Sequence, residues 1–587
     1  MKRTLKLLST AVLLGSLLMI YSCSEEFLTK EPPGVASTSF LQSSEGVEAL
    51  LIATYERMQG SGIFGGAMGT DWTYASGASD DAYKGTSSGD QTPFNNVERY
   101  EVLTNNQYMR ERWRDCYDGV ARANVALEML WTTQKGSTPI SDPVRAKQIE
   151  AELKFLRAWF HFQANKIFEK IPYILTQTEL GDTKPEEVKN DSPGWTGIEA
   201  DLQFALANLP TTHPRGEVGR PNKYAVEAVL AHCFMYEKKL SSAKPLLDDI
   251  IANGGYNLVS NFYDNYDCTH ENNKESIFEI QCSVTGTSQS GMLIDGATWH
   301  QNGPASCGGW GFFQASECLF EAFQVTPDGL PVLDIAAREP LANDMGKGSG
   351  DVFVPTDHLL DLRVDWTIAR RGIDFLGWGI HPGNAWIREQ ANGGPYMCKK
   401  YMHKKEEQSL CTNGSGFNNP KNYRMYRLAN ILLWRAEIAV EDGQLDVAMG
   451  LVNQVRNRAK NSTPVMGLCT TYTLATGTPV VAYDKPAANY KVEPYPVGSP
   501  VFATQATARQ AVQMETRLEF AMECHRFFDL RRWGLLGTVI PDYITRDQKF
   551  RTFLTGAVFS ATKNDYWPIP QDQVDLQKGV ITQDPAY

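Results

Sequence analysis

The residues with the strongest claim to chemistry are aromatic and acidic side chains set in glycine-rich loops. Asp71-Trp72-Thr73-Tyr74 leads into Ser79-Asp80-Asp81-Ala82-Tyr83, a polar stretch with no core periodicity. Trp299-His300-Gln301-Asn302, Gly308-Gly309-Trp310-Gly311-Phe312-Phe313 and Phe375-Leu376-Gly377-Trp378-Gly379 repeat the combination further along. Sugars present flat C–H patches that pack on an aromatic face, while their hydroxyls need carboxylates and amides for orientation. Trp72, Tyr74, Asp80, Asp81, Tyr83, Trp299, Trp310 and Trp378 are therefore the candidate ligand-binding residues. Trp72, Tyr74 and Trp299 are expected to share one exposed surface, with Asp80 and Asp81 supplying hydroxyl contacts. The competing reading is that such aromatics anchor their own loops.

Other motifs carry less. Gly85-Thr86-Ser87-Ser88-Gly89 fits the G-x-S-x-G hydrolase elbow, but its flanks are polar and turn-forming where the elbow needs a strained strand-turn-helix. Gly346-Lys347-Gly348-Ser349-Gly350 lacks both a preceding apolar strand and the GK[ST] ending of a phosphate cradle. The nine His are dispersed without an H-E-x-x-H pair, and no metal site is expected. Asp264-Asn265-Tyr266-Asp267 offers oxygen ligands without the spacing of a calcium loop, so a structural calcium ion is left open and unsupported. In Glu523-Cys524-His525-Arg526-Phe527-Phe528-Asp529-Leu530-Arg531-Arg532-Trp533-Gly534, the expected role of Arg526, Asp529, Arg531 and Arg532 is a structural charge network beside packed Phe527, Phe528 and Trp533. No catalytic residue and no cofactor are expected.

The first 22 residues decide location. Lys2, Arg3 and Lys6 head an apolar run from Leu7 to Ile20 that ends at Tyr21-Ser22-Cys23. A basic head, a short apolar core and small residues before a break mark an export signal, too short to span a bilayer. Cys23 just after the break is the expected site of lipid attachment, although Tyr21 is bulky for its position; a plain signal peptide with an incidental cysteine is the alternative. Several acyl chains would make such an anchor permanent.

The 42% apolar and 21% charged composition is that of a globular chain with a sizeable core, and there is no second long apolar run. Net charge is −12 and the only basic cluster after the signal, Lys399-Lys400 with Lys404-Lys405, is short, which argues against nucleic acid as a partner. Cysteines show no CxxC pair; Cys307 with Cys318, or Cys398 with Cys411, are near enough in sequence for disulfides.

Positioning these residues falls to helices. Apolar positions Ile149, Leu153, Leu156, Phe160, Ala164 and Ile167 make one continuous helical face, with Pro172 soon after its end. Tyr224–Glu237 and Ala243–Ile251 form two more helical segments across a very short turn. The design returns at Leu428, Leu432, Ala436 and Ala439, then a turn at Glu441-Asp442-Gly443-Gln444, then Leu445, Ala448, Val452, Val455 and Ala459. Paired amphipathic helices with small facing residues are what a tetratricopeptide-type hairpin requires. These hairpins are degenerate and not contiguous, so the fold expected is mostly α: a helical scaffold interrupted by loop-rich insertions near Asn261–Pro420 and Asn461–Phe502.

Several segments resemble the SusD/RagB family of outer-membrane nutrient-binding lipoproteins. They are Ser24–Gln59, Ala151–Leu175, Gly219–Met235, Glu271–Gln281, Tyr426–Ala459, Glu515–Gly534 and Tyr566–Tyr587. Cys524 stands where the family usually has Gly before the His-Arg pair. Gly308–Gly311 resembles a recurrent family sequence, which favours a structural role for Trp310. Ser24-Glu25-Glu26 resembles the acidic export signal of Bacteroidetes surface lipoproteins. The resemblance implies tetratricopeptide-type helices packed against a variable, loop-rich half. The organisation would be a lipoprotein signal at 1–22, a helical region at 23–260, a variable ligand-binding region at 261–420, a hairpin at 421–460, a loop insertion at 461–503 and a C-terminal region at 504–587. It further implies a non-catalytic protein, lipid-anchored to the outer membrane and facing the exterior, that binds an oligosaccharide and delivers it to a TonB-dependent, SusC-like transporter. A peptide-binding RagB-like version is the alternative; a surface glycan hydrolase and a purely structural adaptor are rivals from other classes.

Overall fold

The computed structural model describes residues 37–283, 303, 309–410, 420–474 and 479–587. The helical faces read from the sequence form where apolar periodicity is clearest. Eleven helices build the scaffold: α1 (Ser44–Glu56), α2 (Gln107–Lys135), α3 (Pro143–Phe168), α4 (Trp195–Asn208), α5 (Lys223–Tyr236), α6 (Leu240–Asn253), α7 (Leu428–Glu441), α8 (Leu445–Asn461), α9 (Gln505–Phe520), α10 (Arg526–Arg532) and α11 (Leu536–Asp547). Caps account for several starts. Asp142 accepts from Val144 N with Pro143 at the first helical position, and Asn222 accepts from Ala225 N. Between α7 and α8 the chain reverses at Gly443, whose φ of +73° glycine adopts without penalty.

Successive helices stack as neighbours: α2 on α3, α3 on α4, α4 on α5, α5 on α6, and then α6 directly on α7, although residues 254–427 intervene. The hairpins that are separate in sequence are thus one continuous stack in space, and the variable region is looped out of it. Ala225, Ala228, Ala231, Ala429, Ala436 and Ala439 are fully buried, where small side chains let helix axes approach closely. The longest helix, α2, has no clean apolar stripe because Arg112 and Asp115 lie on its buried face.

The looped-out region leaves and re-enters through one ladder. The strand Ser276–Ile280 pairs antiparallel with the strand just before α7, Tyr423–Arg427, with Ser276 opposite Arg427 and Ile280 opposite Tyr423. Two further short ladders lie near or within the insertion: Ala82–Gly85 with Phe312–Ala315, and Ile368–Ala369 with Met397–Cys398. The second insertion carries the hairpin Met466–Cys469 with Val481–Pro486. Among the described residues no helix is long and apolar enough to cross a membrane.

Where the ladder, α8 and α9 converge, the core is ionic. Glu519 accepts from Arg363 (2.9 Å), Arg427 (2.5 Å) and Arg458; Glu515 pairs with Arg363 and Arg456 (2.8 Å each); Glu275 joins Arg427 and Arg458. Glu523 takes Arg427 (2.9 Å) and Lys400 (2.8 Å), and Asp361 takes Arg363 (2.8 Å). Five cations thus meet five carboxylates, all nearly or fully buried. Burial opposes charge on Glu519 and Glu523, but the arginines win and hold both carboxyls below their ordinary range, Glu523 at about 2.

Candidate functional site

The expected platform is not a surface. Trp72, Tyr74 and Tyr83 are completely buried, and Asp80 and Asp81 are 3% and 2% exposed. Trp72 donates through Nε1 to Ile63 O (2.5 Å) and packs on Phe94 and Phe313 with ring centroids 5.0 and 5.2 Å away. Tyr74 donates to Tyr108 O (2.7 Å) beneath the Arg112 guanidinium. Tyr83 donates to Asp547 Oδ1 (2.5 Å), with the Arg551 guanidinium 3.8 Å from its ring centre.

The two aspartates are equally committed. Asp80 pairs with Arg517 (2.9 Å) and Arg526 (2.8 Å), and Asp81 pairs with Arg517 (2.9 Å). Burial disfavours charge on Asp80, but Arg517 and Arg526 overcome it and hold the carboxyl well below its usual range. Asp81 moves the other way, raised by burial and by the charge of Asp80. This polar, glycine-rich stretch folds inward because each charge meets a partner more than four hundred residues away in α9 or α10. The same contact explains the C-terminal motif as a structural network: Arg526 reaches Asp80, while Arg532 bridges Asp529 (2.7 Å) and Glu437 (2.5 Å) beside buried Phe527 and Phe528. Cys524 has φ +67°, a left-handed conformation that glycine takes freely, which gives the usual family glycine its physical reason.

Trp299 and Cys23 lie outside the described residues, as do Cys307 and Cys411. Cys318 and Cys398 are buried thiols. Trp378 is half-buried; its Nε1 donates to His403 O (3.2 Å) and its ring meets His403 edge-on. The Gly-rich segment around it is a tight turn: Leu376 and Gly377 both have positive φ and Trp378 N donates back to Phe375 O (2.8 Å).

Trp310, the residue with the strongest structural expectation, is instead exposed at 37%. It stands two residues before the strand Phe312–Ala315, next to a loop built around buried Lys84. The Lys84 ammonium donates to Asp90 O (2.6 Å), Ser87 O (3.1 Å) and Asn95 Oδ1 (2.6 Å), so the Gly85–Gly89 motif is a lysine-cored turn with Ser87 held by its carbonyl. Burial pushes the Lys84 ammonium down, and Glu98 and Asp90 oppose that push. Thr86 N donates to Gly311 O, and a Cβ at Gly85 would come within 2.5 Å of that oxygen, so the loop closes on Gly311 only with glycine there. Arg388 crosses the same corner, donating to Thr86 Oγ1 (2.6 Å) and Asp90 Oδ2 (2.7 Å), while Glu389 accepts from Ser88 N (3.2 Å). Trp310 is thus an exposed indole one residue before Gly311, whose carbonyl ties the chain to a corner cross-linked by Thr86, Asp90, Arg388 and Glu389. Arg388 and Glu389 carry no signal in the sequence, since nothing local marks residues that meet a loop three hundred positions earlier.

Asp264, Asp267 and His270 bring ligand atoms within 4.8 Å of one another. Asp267 is already taken by Lys404 (2.9 Å), His270 Nδ1 (2.7 Å) and the Thr269 backbone (3.0 Å). One spent carboxylate, one half-buried carboxylate and an exposed imidazole do not resemble the six to eight oxygens of a calcium site.

Comparison with known proteins agrees with this architecture. A model described as the SusD family matches residues 274–587, and one described as "Starch-binding associating with outer membrane" matches residues 26–235. The chain is 24% identical to SusD-like protein P25 of Formosa agariphila over 89% of this chain and 90% of that one. Among solved structures, surface glycan-binding protein A of Bacteroides uniformis superposes with a TM-score of 0.67 at 18% identity, covering 93% of this chain and all of that one. The Bacteroides thetaiotaomicron protein in complex with laminarihexaose does so with a TM-score of 0.65 at 19% identity, again over 93% and 100%. On the strength of the first match, over more than half its length, the chain belongs to the SusD family.

Proposed function

We propose that this protein is a surface lipoprotein that captures an oligosaccharide at the Trp310 face and delivers it to a TonB-dependent outer-membrane transporter, anchored through an acylated Cys23. The observation that carries the proposal is the exposed Trp310 indole, one residue from the Gly311 carbonyl that accepts from Thr86 N at a corner fixed by Thr86, Asp90, Arg388 and Glu389. Such a surface supplies a stacking face and oriented polar groups, the two elements that sugar binding requires. Structural neighbours titled as surface glycan-binding proteins, one in complex with laminarihexaose, support the ligand class. Delivery to a transporter and the lipid anchor rest on family membership and on the N-terminal signal. The peptide-binding version draws no support from the relatives described above.

A shallow, partly solvated sugar site binds in the micromolar to millimolar range, about 4–8 kcal/mol. Calorimetry of the purified full-length chain against a panel of neutral and acidic oligosaccharides, laminarihexaose included, tests the proposal. Trp310→Ala is expected to weaken the tightest ligand about tenfold, by roughly 1–3 kcal/mol, with an unchanged melting temperature. Full affinity in that variant would remove Trp310 from the site.

A further inference from the structure

The loop after the Ile368–Ala369 ladder carries a second aromatic surface far along the chain from Trp310. Trp366, Asp374, Leu376, Gly377, Lys404, Lys405 and Glu406 line an open cleft of about 540 Å³, within the size range of small-ligand sites. We propose that this cleft is a second sugar-binding site, specific for a neutral pyranose unit; the inference extends the glycan-binding reading above and rests on it.

Trp366 is the stacking element. It is half-buried, packed on Tyr263 with ring centroids 4.7 Å apart, and its Nε1 donates to Thr463 O (2.8 Å). The ring is thereby held at a fixed angle with part of its surface in the cleft, so a sugar meets a platform that loses little freedom on binding. The opposite wall is equally fixed. Asp374 Oδ2 accepts from Gly377 N (2.8 Å), closing the tight turn, and Lys405 N donates to Leu376 O (3.0 Å). Beneath both walls lies Lys399, 1% exposed, whose ammonium donates to Asp365 O (2.7 Å) and Asp374 O (2.6 Å). It ties the residue before Trp366 to the carboxylate wall and acts as a positioning residue.

Charge selects the ligand. The cleft holds two cations, Lys404 and Lys405, against two carboxylates, Asp374 and Glu406, and Lys404 is further neutralised by Asp267 (2.9 Å). An anionic sugar gains no net attraction there, whereas a neutral pyranose finds acceptors in Asp374 and Glu406, donors in the lysines, and an indole to stack on. The short basic cluster of the sequence thus divides: Lys399 and Lys400 are buried in the framework, and Lys404 and Lys405 face the cleft.

The test is hydroxyl-radical footprinting and calorimetry on the full-length native chain, Trp366→Ala and Trp310→Ala. The probes are laminarihexaose, a neutral oligosaccharide panel and an acidic one. The account predicts at least threefold protection of Trp366 by a neutral oligosaccharide, none by an acidic one, and loss of that binding step in Trp366→Ala with the Trp310 step retained. Unchanged oxidation of Trp366 at saturation, with binding lost only in Trp310→Ala, overturns the second site and leaves the first standing. Loss of binding only in Trp366→Ala refutes the Trp310 assignment and keeps this one. No binding of any sugar by the native chain overturns both.

Discussion

Replacing Glu519 with Gln removes one of five carboxylates from a buried cluster of five cations, and three arginines converge on that carboxylate. The charge left over is shielded from bulk solvent, since Arg363, Arg427 and Arg458 are 0%, 1% and 3% exposed at the side chain. Breaking a buried pair from one side costs about 3–5 kcal/mol, the penalty of an uncompensated buried charge more than the worth of the lost bonds. For a chain of this length, about 2.1 cal/mol/K per residue gives an unfolding entropy near 1.2 kcal/mol/K, so the melting temperature falls by about 2–4 °C. Differential scanning calorimetry at pH 7 measures this. The control is Glu441→Gln, whose pair with Arg509 is 41% exposed on both sides and contributes about 0–1 kcal/mol, a shift below about 1 °C. Equal, negligible shifts in both variants would refute the reasoning that the cluster is an electrostatic keystone.

Burial pushes the Asp547 carboxyl up to about 6, with Glu98 and Glu321 adding to it and Arg551 opposing. A raised acid favours the folded state at low pH, so this contribution is lost as pH rises from about 4 through 6; Asp547→Asn should flatten that limb of the stability–pH curve and raise the melting temperature at pH 7.5 by about 2 °C. Ala436 is fully buried in α7, so Ala436→Trp should overpack the helix stack at a cost of about 1–3 kcal/mol, seen as a lower melting temperature. An unchanged value would place that face elsewhere. Cys23→Ala should yield a folded protein released from the membrane fraction of cells lacking the transporter; persistence in the pellet would contradict the anchor.

How much of this was legible beforehand follows from what each signal depends on. The faces of α3, α5, α7 and α8 could be read from spacing because burying an apolar stripe is a local demand on sequence. Helix α2 could not, since Arg112 and Asp115 sit on its inner face and are satisfied by Asp71, Ser61 and Arg57 from elsewhere. The same blindness misplaced the platform. Asp80, Asp81 and Lys84 look solvated in the sequence, yet their partners Arg517, Arg526 and Glu98 make the segment interior. Trp72 and Trp310 have similar loop-like surroundings, yet Trp72 is buried against Phe94 and Phe313, partners distant in sequence, while Trp310 stays exposed. The C-terminal motif was legible as structural because its density of arginine and aromatic residues exceeds what a surface helix needs.

The central claim is tested most directly by calorimetric titration of the native chain and Trp310→Ala with the tightest oligosaccharide found on a mixed panel. The account predicts saturable binding by the native chain, about tenfold weaker binding by the variant and equal melting temperatures for the two. Absence of binding to every sugar, or equal affinity in the two proteins, would contradict it.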